Sequence, residues 1–368
     1  MLNTRERITV LRYPQYKVAA AHVAPVYYDV NETVEKACYY IEKAAKKGVK
    51  LIAFAETFIP GYPNWARLVR PIESDEFFVE YAAHSILVNG PEIKRIQETA
   101  KKLDIMVSMG FSERTLISSG CLWNSNVIIS NEGEILSHHR KLVPTYVEKL
   151  IFSNGDAAGL KVCDTQLGQI GMLMCGENTN PLARFSLMAQ GEQVHIASYP
   201  SVAPARPSSG TGAYKIQEGI RIRAAAHSFE AKVFTIVAAS PFDELARNAL
   251  SHLGEENLQL LDKGSRAVSF ILGPTGELLT DILDLDEGLA IAEINLNDIV
   301  PHKRMHDVVG YYNRFDIFDL TIDRRRNKPA KFIDDDFAQN KSLPENNKKR
   351  HIEVNKPYSI IRGADNES

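Results

Sequence analysis

The chain has only four cysteines, Cys38, Cys121, Cys163 and Cys175, and no two of them form a CxxC pair. That scarcity supplies neither a zinc ribbon nor a disulfide framework, and isolated thiols suit a reducing compartment. Long hydrophobic runs are also missing: none is long enough to span a bilayer, and Met1 to Leu11 lacks the apolar centre of a secretory leader. A cytoplasmic protein is expected. Neither sign of charge is in excess, since the formal net charge is -3, so nothing selects nucleic acid or an acidic membrane as partner. No low-complexity linker interrupts residues 12–320. What is present is a chain of 368 residues, 44% hydrophobic and 24% charged, which is the usage of a globular protein with a large core.

The pattern along the chain alternates strands and helices. Tyr16 to Val23 is dense in valine and alanine and reads as a buried strand. Asn31 is a candidate cap for a helix whose face carries Val34, Ala37, Cys38, Ile41, Ala44 and Ala45, with Gly48 stopping it before a strand at Val49 to Phe54. Cys38 is thereby a core residue. Helices are expected from Ser74 to about Val88 and from Pro91 to Leu103, then a strand from Ile105 to Gly110. Leu122 to Ser130 and Glu134 to Ser137 form a hairpin about Asn131-Glu132-Gly133. Strands at Cys163 to Gln166 and Ile170 to Met174, a helix from Asn180 to Gln190, and a strand at Val194 to Ser198 follow. Ser201 to Gly212 reads as a loop. Helices at Gln217 to Ala231 and Glu255 to Leu261, a strand at Val233 to Ala239, a second hairpin from Ala267 to Leu272 and Glu277 to Thr280, and a strand at Leu289 to Ile294 complete the pattern. Two β-α-β-like halves fit one mixed α/β sandwich better than two separable domains.

Three stretches carry chemistry. Cys175 follows the apolar run Ile170 to Met174, at a strand's carboxyl end, where a thiol is held rigidly while facing a crevice. A lone cysteine after an apolar run is by itself more often core. Glu56 stands directly off a strand in the mostly apolar loop Ala55 to Trp65, and a buried glutamate needs a purpose, although a surface carboxylate satisfies the same pattern. Lys141 closes the basic cluster His138-His139-Arg140-Lys141, which reads either as a solvated charge run or as an ordered turn continued by Pro144 and Thr145. Taken together, a thiol needs a base to remove its proton, for which Glu56 is the candidate, and a cation where charge develops, which Lys141 supplies. Glu148 is placed to hold Lys141 or a proton donor; His138 and His139 are assigned structural roles.

This constellation resembles the nitrilase superfamily of carbon-nitrogen hydrolases, in its true nitrilase branch. The resemblance runs from Val18 to Leu320, around Phe54-Ala55-Glu56-Thr57-Phe58-Ile59-Pro60-Gly61-Tyr62-Pro63, His139-Arg140-Lys141-Leu142-Val143-Pro144-Thr145 and Cys175-Gly176-Glu177-Asn178-Thr179-Asn180-Pro181-Leu182. It implies an α-β-β-α sandwich, four-layered when two subunits pack. It implies Cys175 as nucleophile, Glu56 as general base and acid, Lys141 as stabiliser of the tetrahedral intermediate and Glu148 as the second, supporting glutamate. The segments Gly61-Tyr62-Pro63 and Gly310 to Asp316 resemble nitrilases more than amidases or carbamoylases.

The implied activity is hydrolysis of an organic nitrile to the carboxylic acid and ammonia, with no metal or cofactor called for. An amidase, a cyanide hydratase or dihydratase, and a catalytically silent scaffold are the competing readings. Many nitrilases carry tryptophan after the nucleophile; here Gly176 takes its place, which makes the substrate range and the acid-to-amide ratio harder to infer. Trp65, Tyr146, Gly176, Tyr199 and the segment from Ser201 to Ser209 are candidates for the substrate pocket. The domain is expected to occupy 12–320. The extension 321–368, with Arg324-Arg325-Arg326 and Asp334 to Asp336, is too poor in apolar residues to fold alone and is either disordered or ordered against another subunit. By resemblance, self-association as dimers and larger spirals or filaments is expected.

Overall fold

The computed structural model describes residues 12–204 and 215–330. The chain divides into two units, Met1–Arg326 and Asn327–Ser368. Residues 331–368 lie outside the described residues, and with them most of the extension and its two alternatives.

Strands β1 (Gln15–His22), β2 (Val49–Ala53), β3 (Met106–Arg114), β4 (Leu122–Ile129) and β5 (Ile135–Arg140) form a first sheet with the last strand, β13 (Gly288–Asn295), at its edge, in the order β13-β1-β2-β3-β4-β5. The second sheet holds β6 (Cys163–Thr165), β7 (Gly168–Met174), β8 (Val194–Tyr199), β10 (Phe234–Ala239) and β12 (Phe270–Leu272), in the order β12-β10-β8-β7-β6. A small ribbon pairs β9 (Val202–Ala203) with β11 (Ser265–Arg266). The period-two alternation of each strand separates its two faces. Val18 and Ala20 of β1, with Leu51 and Ala53 of β2, pack against Ile170, Met172 and Met174 of β7 and against Ile196 and Ile236, which forms the core between the sheets.

The opposite faces take the helices. Ala19, Ile52, Val107 and Met109 meet α1 (Val30–Lys46) and α3 (Pro91–Leu103). On the second sheet Leu173 meets α4 (Pro181–Met188), while Ala197, Val237 and Phe270 meet α5 (Ile216–Ala231). The architecture is therefore the expected α-β-β-α sandwich, with shorter helices α2 (Asp75–Ala83), α6 (Glu244–Ala249), α7 (Glu255–Asp262) and α8 (Ile299–Met305) at its periphery. Among the described residues no helix is long and apolar enough to cross a membrane.

Several boundaries differ from the sequence reading. The cap of α1 is Asp29, whose carboxylate accepts the Glu32 N–H, rather than Asn31. Helix α2 ends at Ala83, five residues before Val88, because the buried Ser85 hydroxyl donates to the Tyr81 carbonyl and meets the Ser112 hydroxyl, and the Ile86 N–H donates to the Ser112 carbonyl instead of continuing the helix. Strands β3 and β5 run on to Arg114 and Arg140, since Glu113 on β3 accepts from Ser125 of the intervening β4 and from Arg140 of β5, tying the strand ends together. Residues 277–280 do not form a strand; they meet β12 through the isolated bridge Leu272–Leu278 and through hydrogen bonds of the Leu279 N–H and the Thr280 hydroxyl with the Ile271 backbone. Part of the loop from Ser201 is the ribbon strand β9, and its continuation through 205–214 lies outside the described residues.

Candidate active site

Strand ends deliver the three chemical residues. Lys141 follows β5 directly and Cys175 follows β7 directly, while Glu56 comes three residues after β2. Neighbouring backbone fixes each. The Glu56 N–H donates to the Tyr199 carbonyl (3.2 Å), and the Lys141 N–H donates to the Asn124 carbonyl (2.8 Å). Gly110 permits the close approach, because a Cβ there would collide with the carbonyl of Ala55.

The side chains form one charged cluster sealed from solvent. Lys141 Nζ lies 2.6 Å from Glu56 Oε1 and 2.6 Å from Glu148 Oε2. Glu56 Oε1 also accepts from Asn124 Nδ2 (2.5 Å). Glu148 is held by the Tyr62 hydroxyl (2.7 Å) and the Thr145 N–H (2.8 Å), so the Thr145-Tyr146-Val147-Glu148 turn aims it at the lysine. The other oxygen of Glu56, Oε2, is buried with no hydrogen-bond partner among the described residues, leaving it open to a reacting proton.

Electrostatics follow from this crowding. Burial pushes the Glu56 carboxyl up, the Lys141 ammonium pulls it down and Glu148 pushes it up again, for a balance of about 7. Burial works against the charge on Lys141, but Glu148 and Glu56 outweigh it and hold the ammonium well above its ordinary range. The Cys175 thiol is pushed up to about 12 by burial and by the charge on Glu56, with Lys141 opposing. The resting group is therefore a thiol in the field of a carboxyl poised near neutrality, and a thiol in that state can react as a nucleophile only if an acceptor takes its proton.

The backbone here is strained where function would place it. Thr57, Tyr146 and Cys175, beside Glu56, ahead of Glu148 and at the thiol itself, adopt left-handed φ values of 46°, 52° and 42°. Glu177 offsets that cost. Its carboxylate accepts the Met174 N–H (2.7 Å), the Leu142 N–H (2.6 Å) and His139 Nε2 (3.0 Å), so one buried side chain clips the residue before Cys175 to the residue after Lys141. Burial opposes the Glu177 charge, but His139 and the two amides outweigh it and hold its carboxyl below the ordinary value. Sequence alone places Glu177 only within a motif; the signal for it is a carboxylate two residues past Cys175 with a histidine two residues before Lys141. Glu113 serves the same end of β5, binding His138 (2.8 Å), Arg140 (2.9 Å) and Ser125 (2.6 Å).

The pocket candidates are dispersed. Tyr199 is fully buried at the end of β8, and the Arg223 guanidinium lies 5.5 Å from its ring centre. Gly176 leaves room for Thr145, whose Oγ1 would lie only 3.0 Å from an added Cβ. Tyr146 is 78% exposed. Trp65 packs against Phe77 and Tyr81 and lines a cavity of about 360 Å³ with Lys149 and Phe152, in which Cys175 takes no part. Of the residues from Ser201 to Ser209, those past 204 lie outside the described residues.

The family model described as carbon-nitrogen hydrolase matches residues 17–304. The chain is 34% identical to an arylacetonitrilase of Hypocrea virens, over 83% of this chain and 91% of the relative. It is also 34% identical to a cyanide hydratase of Botryotinia fuckeliana, over 88% of this chain and 86% of the relative. Among solved structures, a carbon-nitrogen hydrolase from Helicobacter pylori superposes with a TM-score of 0.63 at 21% identity, covering 83% of this chain and 97% of that one, which is a likeness of fold.

Proposed function

Because the chain belongs to the carbon-nitrogen hydrolase family, whose members act on carbon–nitrogen bonds other than peptide bonds, we propose that it is a nitrilase, converting an organic nitrile to the carboxylic acid and ammonia. The observation that carries this reading is the sealed Glu56–Lys141–Glu148 cluster, whose charges are felt at the Cys175 thiol and whose Glu56 Oε2 has no partner among the described residues. The similarity to an arylacetonitrilase supports a nitrile over an amide as substrate.

In the proposed course Cys175 Sγ bonds to the nitrile carbon while its proton passes to Glu56 and then to the nitrogen, giving a thioimidate. Water adds to that carbon, its proton taken by Glu56, and the resulting tetrahedral intermediate is stabilised by Lys141. Proton return to nitrogen expels ammonia and leaves a thioester. A second water, again activated by Glu56, gives the acid and restores the thiol. If the carbon–sulfur bond of the tetrahedral intermediate breaks before the carbon–nitrogen bond, the product is the amide. The similarity to a cyanide hydratase supports that shorter course as the second reading.

Self-association belongs to the same reading, supported by Leu182 on α4 and Ile222 and Phe229 on α5, which are exposed apolar side chains on neighbouring helices. The test is a panel of aromatic, arylaliphatic and aliphatic nitriles, their amides, and cyanide, with acid, amide and ammonia quantified separately. Acid and ammonia from organic nitriles is the expected result. Turnover of amides alone would make the protein an amidase, and hydration of cyanide alone would make it a hydratase.

A further inference from the structure

Linked to the Cys175 carbonyl through Asn178 is a second buried polar group that the proposed chemistry leaves unused. Glu192, His195 and His227 are fully buried or nearly so. Glu192 Oε1 is 2.8 Å from His195 Nδ1, Glu192 Oε2 is 2.7 Å from His227 Nε2, and the two imidazoles stack with ring centres 3.8 Å apart. His195 Nε2 reaches in the other direction, 2.8 Å to Asn178 Oδ1. Asn178 Nδ2 then donates to the carbonyls of Leu173 and Cys175, each at 3.2 Å.

The hydrogens in this chain are fixed by its ends. Two backbone carbonyls can only accept, so the Asn178 amide must turn its NH2 toward them and its oxygen toward His195. His195 Nε2 must therefore carry a hydrogen. Flipping the amide would set oxygen against two carbonyls and leave both unsatisfied. Glu192, whose two oxygens are each filled by an imidazole, locks the His195 ring in the orientation that delivers Nε2–H to Asn178. Gly171, paired with His195 across β7 and β8, makes room for that carboxylate, since a Cβ there would collide with Glu192. Among the described residues the other charges about the cluster are Arg184 on α4, paired with Glu230, and Lys303 on α8, whose Nζ donates to the Ala231 carbonyl at 2.8 Å and lies 3.9 Å from the Asp307 carboxylate.

We propose that His195 is a positioning residue for Cys175, acting through Asn178: the Glu192–His195–Asn178 relay grips the carbonyl of a nucleophile held at φ 42° and so sets the direction of its thiol. The inference rests on the reading of Cys175 as nucleophile. The same three residues have ligand atoms close enough to hold a metal ion. Their atoms are instead matched pairwise as donor and acceptor at hydrogen-bond distance, which accounts for the cluster through shared protons.

The experiment compares His195→Leu, which removes the donor, with His195→Gln, which can present an amide N–H where Nε2 stood. Iodoacetamide labelling of Cys175 is followed by peptide mass mapping, so that Cys121 and the buried cysteines are counted apart, alongside kcat and KM for a nitrile. His195→Leu is expected to slow Cys175 labelling and kcat by at least about tenfold with KM within about twofold, and His195→Gln is expected to recover most of both. Asn178→Ala attacks the relay from its other end should His195→Leu fail to fold, and must show the same loss. Wild-type labelling rates in folded His195→Leu or Asn178→Ala would overturn the proposal, as would equal loss in the Leu and Gln variants, or one tightly bound metal ion per chain in the purified protein. Labelling does not depend on nitrile turnover. A wild type inert to nitriles whose Cys175 labelling still falls in these variants would refute the nitrilase reading and leave the relay standing.

Discussion

Lys141 and Glu148 form an ion pair of 2.6 Å from which solvent is almost wholly excluded, and Glu56 holds the same ammonium from its other side. Removing the cation would leave two carboxylates facing each other without water. Breaking such a pair from one side costs roughly 3–5 kcal/mol. Lys141→Met should therefore lose stability on that scale in urea unfolding as well as all turnover, and a variant as stable as the wild type would show that the cluster is not charged as described.

The Glu56 carboxyl sits at about 7, raised from 4.5 mainly by burial. As a base it works only when ionised, so kcat/KM should climb about tenfold per pH unit below pH about 7 and level off above it. The Cys175 thiol, at about 12, contributes no limb in that range. Raising the Glu56 value also means that its contribution to stability is complete below 4.5 and is lost as pH rises through about 7, so Glu56→Gln should gain on the wild type with rising pH. A pH–rate profile with its acid limb near 4.5 would place the base elsewhere.

Glu113 moves the other way. Burial opposes its charge, but His138 and Arg140 outweigh it and bring its carboxyl to about 2 from 4.5. The stability it supplies is present above 4.5 and is lost as pH falls toward about 2. Glu113→Gln should thus be well below the wild type in thermal stability at pH 7 and approach it in acid. A gap independent of pH would contradict the assignment.

A Cβ at Gly176 would meet Thr145 Oγ1 at 3.0 Å, so a side chain there must displace that hydroxyl. An aromatic side chain there would sit beside the thiol and restrict how the tetrahedral intermediate turns before it breaks. Gly176→Trp is expected to change the acid-to-amide ratio from a single nitrile with Cys175 labelling retained. An unchanged ratio would remove Gly176 from the determinants of product choice.

The sequence disclosed the fold and the cluster because both rest on short-range signals. The apolar alternation of β1, β2 and β7 marks strands, and Glu56, Lys141 and Cys175 stand at or just beyond strand ends, where each alone has an ordinary reading and only the three together, with the family resemblance, point to a site. What stayed hidden depends on pairing at long range. Nothing local says that Glu177 spans from Met174 to Leu142, or that Glu192 uses both oxygens on imidazoles from β8 and α5. The left-handed backbone at Cys175 was equally invisible, since no glycine announces it and the strain is held by Glu177 and Asn178 from outside the residue. The reach of β3 and β5 followed from Glu113, whose partners lie 12 to 27 residues away in the chain.

The central claim is that the Cys175 sulfur forms the covalent bond to substrate. Cys175→Ala deletes only that atom from a residue whose backbone is held by Glu177 and Asn178, so the fold should persist by circular dichroism. Ammonia release from the best nitrile of the panel, measured for wild type and Cys175→Ala under the same conditions, tests it most directly. The account predicts steady release by the wild type and none above background by the folded variant; undiminished release by Cys175→Ala would contradict it.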